Sequence, residues 1–463
     1  MPRIVVGGAN SGVGKTSVTL ALIVALRRRG LRVQPFKVGP DYLDPTYHAL
    51  AAGRPCYNLD GWMTNQEYVR DLFNERASEA DISVIEGVMG LFDGADTDTL
   101  SGSSGEIAAW LDAPVLLVVN VHGLARSLAA VVKGYSEFDA AVRVAGVIAN
   151  HCGSERHGQM LELVLRSSGL PPLVGALPRD AFPPLPSRHL GLVTADGQTL
   201  TDTTIEALGD AADRYASIDR IVEIARDSPA LPSSKRTVRE HVPKESVRLG
   251  LAFDRAFHFY YHDNLQALER AGCRIVSFSP LDDESIPPDV DALYFGGGYP
   301  EEYAEGLKAN RSMLDSVRRF ADRGHVVYGE CGGLMYLSNG IITTDGLEHN
   351  MAGILPARTR MLPRLRSLGY TEVTLSASSL FGTTGTVLRG HEFHYSELDD
   401  DPTETDDWST VYSVQPRRSD SPRREGYQRG NVLVSYVHLH FASRPEVAEY
   451  FVNRIADARD RTR

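Results

Sequence analysis

The chain has 463 residues, too many for one ordinary compact core at ~150 residues per domain, so two or three domains are expected. Its hydrophobic fraction of 42% and charged fraction of 23% are those of a globular protein, and they exclude collagen-like and low-complexity classes. Sixty acidic against 48 basic residues give a net charge of −12, which argues against non-specific nucleic-acid binding, and no run approaches the ~18 apolar residues of a membrane span.

The N-terminus, MPRIVVGG, enters a short β-like run with no apolar segment of the signal-peptide kind. Runs at 3–7, 32–36, 82–85, 114–119 and 144–149 are β-branched or apolar, and stretches of helical period such as 16–29 and 124–138 separate them. Alternating strands and helices predict a doubly wound α/β domain with a parallel sheet over residues 1–226. Residues 227–246 are rich in Pro, Ser and charge and read as a linker. A second alternating set, with strands at 248–253, 274–278, 291–295 and 325–328, predicts another α/β domain over 247–463. Seven carboxylates in 397–407, followed by Arg417, Arg418, Arg423 and Arg424, read as a solvated hairpin edge. Cys56, Cys152, Cys273 and Cys331 are too widely spaced for a zinc site or a disulfide framework, which makes a reducing cytoplasm the expected location.

The first strand runs into Gly8-Ala9-Asn10-Ser11-Gly12-Val13-Gly14-Lys15-Thr16 and then a helix. Such a loop presents backbone N–H groups to phosphates, a helix N-terminus, a lysine for the β/γ oxygens and a hydroxyl for Mg²⁺. Ser11, Gly12, Val13, Gly14, Lys15 and Thr16 are therefore expected to hold ATP, although Ala9 stands where the strict pattern has glycine. Two acidic clusters follow strands at the sheet end where ligands bind in this fold: Phe36 to Pro45, containing Lys37, Asp41 and Asp44, and Glu86 to Gly94, containing Asp93. Glu86 holds a Walker-B-like position suited to Mg²⁺, and Lys37 suits the charge on a transferring phosphoryl group. Singly, an Asp at a strand end is as readily a helix cap; acidic clusters converging on one phosphate loop favour a site. Asn150 ends a strand and reads either as an adenine contact or as a turn residue.

In the second half, Gly329-Glu330-Cys331-Gly332-Gly333 is a strand-to-helix elbow of the kind that exposes a nucleophile, and a helix N-terminus favours the thiolate. Gly296-Gly297-Gly298 supplies unobstructed N–H groups, so Gly297, Gly298 and Gly332 are the expected oxyanion donors. His438 and His440 lie on a β-like run, where alternate residues face opposite sides, so only one is expected to reach Cys331. A cysteine activated by a remote histidine is the layout of covalent acyl chemistry. The other cysteines lack such a setting and read as structural.

Seven motifs in order, G-x-x-S-G-x-G-K-T at 8–16, FKVGPDYLDP at 36–45, EGVMGLFDG at 86–94, GGGYPE at 296–301, GECGGLMYL at 329–337, GHEFHYS at 390–396 and SYVHLHF at 435–441, resemble the cobyrinic acid a,c-diamide synthase family over essentially the whole chain. The resemblance implies a dethiobiotin-synthetase-like ATP domain joined to a class I-type glutamine amidotransferase domain. It further implies amidation of the a and c carboxylates of a corrin, with ATP, L-glutamine and a tetrapyrrole as substrates and Mg²⁺ as cofactor. Carried over, it makes Cys331 the glutaminase nucleophile and His438 its base, and it assigns Asp41, Asp44, Glu86 and Asp93 to Mg²⁺ and carboxylate activation. The usual Glu two residues after the base is replaced here by His440, which leaves the third triad member open between Glu330 and Glu392. Neither a membrane nor a nucleic-acid partner is implied, and pairing into a homodimer is compatible with the domain type.

Cobyrinic acid is the expected substrate; hydrogenobyrinic acid and Ni-sirohydrochlorin keep the same chemistry. Cobyric acid synthase shares the two-domain plan but typically has a PQN-type sequence after FK, where Val38-Gly39-Pro40-Asp41 stands here. A regulatory P-loop ATPase with a non-catalytic second half accounts for Lys15 and Glu86 but not for Cys331, the glycine turn and His438 together.

Overall fold

The computed structural model describes residues 1–185, 187–188, 191–192, 200–232, 247–405, 407–417, 419 and 421–462. The chain divides into two compact units, residues 1–237 and 238–463.

The first unit is built on a seven-stranded parallel sheet in the order Tyr57–Leu59, Val33–Val38, Ile82–Glu86, Arg3–Gly8, Val115–Asn120, Val144–Cys152, Leu173–Pro178. Successive side chains of a strand point to opposite faces, and here both faces are apolar. Ile4, Val6, Val84, Leu116 and Val118 pack on one side, and Val5, Ile85, Leu117 and Val119 on the other. Continuous apolar strands are thus the signature of a sheet covered twice by helices. Helix Lys15–Arg28 is buried from Val18 to Leu26, because it lies between the sheet and the helices Leu43–Ala52 and Asp202–Tyr215. Its basic end, Arg28 and Arg29, pairs with Glu206, Asp210 and Asp213. The edge strands Tyr57–Leu59 and Leu173–Pro178 escape sequence reading, the first for its three-residue length and the second for its Gly and Pro.

The second unit contains a ten-stranded mixed sheet. Its first five strands are parallel: Cys273–Phe278, Val247–Ala252, Ala292–Phe295, Val326–Glu330 and Val432–Ser435. The ladder continues antiparallel through Arg423–Arg429, Ser409–Pro416, Ser367–Leu375 and Val387–His394, and ends on His438–Leu439. The β-like run at 435–441 is therefore broken: Val432–Ser435 pairs with Val326–Glu330, while His438–Leu439, three residues on, pairs with Val387–His394. The antiparallel strands thereby return to the parallel sheet and bring the GHEFHYS segment to the end of Val326–Glu330.

The described part of the stretch read as a linker is fastened to the first unit. Ser228 donates to the Arg3 carbonyl at 3.0 Å, and the Arg3 guanidinium donates to Pro229 at 2.7 Å; 233–246 lie outside the described residues. In the acidic run, Glu397 pairs with Arg366, Asp399 with Arg360, and Asp401 accepts from the N–H of Thr403, as suits a solvated edge; Asp406 and Arg418 lie outside the described residues.

Candidate active site

In the first unit the functional groups stand at the C-terminal ends of adjacent strands. Val6 pairs in register with Glu86, and Glu86 with Lys37, so the phosphate loop, the acid and the lysine are neighbours by sheet geometry. The loop follows strand Arg3–Gly8, and Gly12 and Gly14 take left-handed φ values of 76° and 94°. Gly14 has a second reason to be glycine: a Cβ there would lie 2.5 Å from Asn150 Nδ2. Ser11 and Gly12 are exposed at the loop tip, whereas Val13 is buried.

Lys15 Nζ donates to the Met89 carbonyl at 2.5 Å, folded across the loop that starts at Glu86. Burial, and then neighbouring Lys37, lower its pKa. Lys37 is buried among acids: Nζ lies 2.6 Å from Asp44 Oδ2, 2.9 Å from Glu86 Oε1 and 3.7 Å from Asp41 Oδ2. Burial opposes its charge, but Asp44, Glu86 and Asp41 outweigh it and hold Lys37 well above the ordinary lysine value. Thr16 Oγ1 donates to Glu86 Oε1 at 2.8 Å. Burial and then Asp41 raise the Asp44 pKa, while Lys37 at 2.6 Å opposes them. Glu86 is buried too, yet Lys37 and His48 hold it well below that range.

His48 is absent from the sequence-read set. It sits four residues after Asp44 on helix Leu43–Ala52, its Nε2 is 2.5 Å from Glu86 Oε2, and its Nδ1 meets the Asp44 carbonyl. The i, i+4 spacing was its only signal. Asp41 also accepts from the N–H of Leu43 at 2.8 Å, at the start of that helix. Asp93 is exposed and Oδ2 accepts from the N–H of Gly90 at 3.0 Å, which shapes the loop. Asn150 uses both ends of its amide on backbone: Nδ2 donates to the Val13 carbonyl at 2.8 Å, and Oδ1 accepts from His151 at 2.9 Å. It fastens the phosphate loop to strand Val144–Cys152, two strands away in the sheet.

Hard oxygen donors, Thr16 with the carboxylates of Asp41, Asp44 and Glu86, suit Mg²⁺ in chemistry. Among the described residues no group of three His, Cys, Asp or Glu side chains forms a ready cation cage.

In the second unit, Cys331 follows strand Val326–Glu330 and caps helix Gly332–Leu337 with φ 49° and ψ −99°. A positive φ on a non-glycine residue is strained and is typical of a nucleophile held on a sharp turn. Gly332 lies against the glycine turn: a Cβ on it would sit 3.1 Å from Gly298 N. Gly297 makes room for His438, since a Cβ there would lie 2.5 Å from its Cε1. Gly297–Gly298 is held by antiparallel pairing with Phe257–Phe259.

The alternation of His438 and His440 resolves clearly. His438 hydrogen-bonds to Cys331, whereas His440 turns to Asp263, with Nε2 3.3 Å from Oδ2 and the ring 4.8 Å from that of Tyr261. Burial opposes charge on His438, but Cys331 and then Glu330 push it up to about 10. The arrangement favours an imidazolium beside the Cys331 sulfur, a layout suited to attack on an amide carbonyl. The ring of His391 stacks on His438 at 5.0 Å, and its Nδ1 meets Tyr261 Oη at 2.9 Å. Burial, and then His438 and His440, keep His391 well below the ordinary histidine value, so it packs as a neutral ring. Glu392 faces Arg423, Ser367 and His394 instead.

Comparison with known proteins agrees with this division. Residues 4–193 match the family described as CobQ/CobB/MinD/ParA nucleotide binding domain, and residues 248–446 match the CobB/CobQ-like glutamine amidotransferase domain. The chain is 57% identical over 452 residues to the cobyrinate a,c-diamide synthase of Syntrophotalea carbinolica, covering 98% of each. Proteins of the same name from Leptospira interrogans and Dehalococcoides mccartyi are 42% and 40% identical, covering 98% and 97% of this chain and the same shares of theirs.

Proposed function

The chain belongs to the cobyrinate a,c-diamide synthase family, and from that premise we propose that it amidates the a and c carboxylates of cobyrinic acid through acyl-phosphate intermediates. That it is an amidating ligase, with an ATP-using unit and a glutamine amidotransferase unit, follows from the family; the intermediate and the substrate are the proposal. The observation that carries it is the pairing of Cys331, on its strained turn, with His438, in a chain whose other unit presents Lys15, Lys37 and Thr16 at a phosphate loop.

A carboxylate is a poor acyl donor because its leaving group would be oxide. Transfer of a phosphoryl group from ATP to a carboxylate oxygen releases ADP and makes phosphate the leaving group. Lys15 and Lys37 lie where charge on the moving group needs balance, and Asp41 and Asp44 keep Lys37 charged and oriented. Mg²⁺, held by Thr16 and Glu86 with Asp41 or Asp44, supplies charge neutralisation on the phosphates when bound. Asp93 braces the loop onto which Lys15 folds.

At the second site the Cys331 thiolate attacks the glutamine side-chain amide, and N–H groups of Gly297, Gly298 and Gly332 receive the developing oxyanion. His438 gives its proton to the departing ammonia, and water then hydrolyses the glutamyl thioester to glutamate. The ammonia nitrogen attacks the acyl phosphate, an amide forms and phosphate leaves. Each amide consumes one ATP and one glutamine, so two amides take two rounds. The free cysteines, all buried, suit a reducing cytoplasm, and a homodimer suits the domain type. Among the described residues no helix is long and apolar enough to cross a membrane.

The test is a substrate panel: purified protein with Mg²⁺–ATP and glutamine, offered cobyrinic acid, hydrogenobyrinic acid or Ni-sirohydrochlorin, with products followed by mass. Two successive replacements of OH by NH₂ on cobyrinic acid support the reading. Turnover of only one of the other two moves the substrate and leaves the chemistry.

A further inference from the structure

Given the reading of Cys331 as the glutaminase nucleophile, on which this inference rests, the far side of its base needs a partner. The position two residues after His438 holds His440, which turns to Asp263. Glu392 is taken by Arg423 and His394. His438 Nδ1 instead faces Glu330 Oε2, 3.7 Å away, and both side chains are almost wholly buried. We propose that Glu330, the residue immediately before the nucleophile, is the positioning residue of the thiol site, orienting the His438 imidazole toward Cys331 and balancing its charge.

The sheet explains how a strand residue reaches this place. Tyr328 and Glu330 are two apart on one strand and so share a face. Tyr294 is the register partner of Tyr328 on the neighbouring strand, with the rings 5.0 Å apart. The Tyr294 hydroxyl donates to Glu330 Oε2 at 2.8 Å and the Tyr328 hydroxyl to Oε1 at 2.5 Å. The N–H of Leu439, next to the base, donates to Oε1 at 3.2 Å. Three donors from three strands therefore fix one carboxylate, and one of them is the backbone that carries His438. Since Glu330 precedes Cys331, nucleophile and orienting carboxylate ride on one strand end and their spacing is set by one peptide unit. The titratable groups against His438 are Cys331, Glu330, the stacked His391, and His440 on its own segment. Of the four, Glu330 is the carboxylate.

The decisive variant is Glu330→Gln, which keeps the shape and an acceptor for Leu439 but removes the charge. Glutamine-dependent amidation is expected to fall roughly 10²–10⁴-fold in kcat, as when a triad orienter is neutralised, with KM for glutamine changed little. Amidation from added ammonia stays within about twofold, by the same separation of functions. Loss of the negative charge disfavours the imidazolium, so the alkaline limb of the glutaminase pH profile moves to lower pH. Unchanged kcat with an unmoved limb overturns the proposal, as does equal loss with both nitrogen sources. If Glu330→Gln does not fold, Tyr294→Phe decides by the same readouts: a selective fall in glutamine-dependent kcat supports the role, and unchanged kcat overturns it. A parallel Cys331→Ala sample separates the two levels. Glutamine hydrolysis surviving in Cys331→Ala overturns the underlying reading; activity surviving only in Glu330→Gln overturns this proposal alone.

Discussion

The backbone N–H of Cys331 donates to the carbonyl of Ser435 at 2.7 Å. The Cys331 turn is thereby tied to the strand end that leads, three residues later, to His438. That bond also occupies the cysteine's own N–H, which is consistent with the proposed use of Gly332 and the Gly297–Gly298 turn as oxyanion donors. Ser435 is held in turn by Glu425, whose Oε2 accepts from Ser435 Oγ at 2.5 Å and whose Oε1 accepts from the N–H of Tyr436 at 2.7 Å.

Glu425 gives a stability prediction with a definite sign. Burial pushes its carboxyl up from 4.5 to about 7, against the pull of the Ser435 and Tyr436 bonds. The folded state then binds the proton more tightly than the unfolded chain, so wild-type stability is lost as pH rises from about 4.3 through 7 and is flat above. Glu425→Gln lacks this loss. Relative to wild type it should gain about 3 kcal/mol between pH 4.5 and pH 8, at ~1.4 kcal/mol per pH unit. Urea denaturation of both proteins across that range checks it; a constant difference contradicts it.

Lys37 is the cation around which three carboxylates of the first unit are arranged. Removing one partner of a buried ionic cluster costs ~3–5 kcal/mol. Lys37→Met should therefore lower the unfolding midpoint by roughly 6–20 °C, by the usual scaling for a unit of this size. It should also abolish amidation from glutamine and ammonia alike. The stability deficit should shrink in acid, where the carboxylates protonate. Calorimetry at two pH values, with turnover on ammonia, measures all three effects.

Asn150 distinguishes loop support from base recognition. Asn150→Ala leaves the buried Val13 carbonyl without its donor, worth about 1–3 kcal/mol. Titration calorimetry should find ATP and GTP weakened by similar factors. A change confined to ATP would assign Asn150 to the adenine.

What could be read from sequence was what is local. Apolar runs such as Ile82–Glu86 and Val115–Asn120 are buried on both faces and announce themselves, and Gly8 to Thr16 and Gly329 to Gly333 carry their chemistry in consecutive residues. The edge strand Tyr57–Leu59 is too short to show a period. The family resemblance alone chooses His438 over His440, because by residue pattern the choice depends on a break after Ser435 that sends the chain to a different sheet neighbour. Glu330 is adjacent to Cys331, yet its bonds to Tyr294 and Leu439 span 36 and 109 residues. The stacking of His391 on His438 likewise needs the return of the antiparallel strands, and Asn150 meets Val13 across 137 residues.

The phosphate loop itself is tested by Lys15→Ala. In the proposed mechanism activation of the carboxylate precedes use of nitrogen, so synthesis should fail with either source while glutamine hydrolysis persists. Retained ammonia-dependent synthesis would remove Lys15 from the reaction.

The most direct measurement compares nitrogen sources in Cys331→Ala, following ATP- and Mg²⁺-dependent diamide formation by mass. Glutamine-dependent product should disappear while product from added ammonium persists near the wild-type ammonia rate. Loss of both, or survival of the glutamine-dependent reaction, would contradict two sites that divide ammonia release from carboxylate activation.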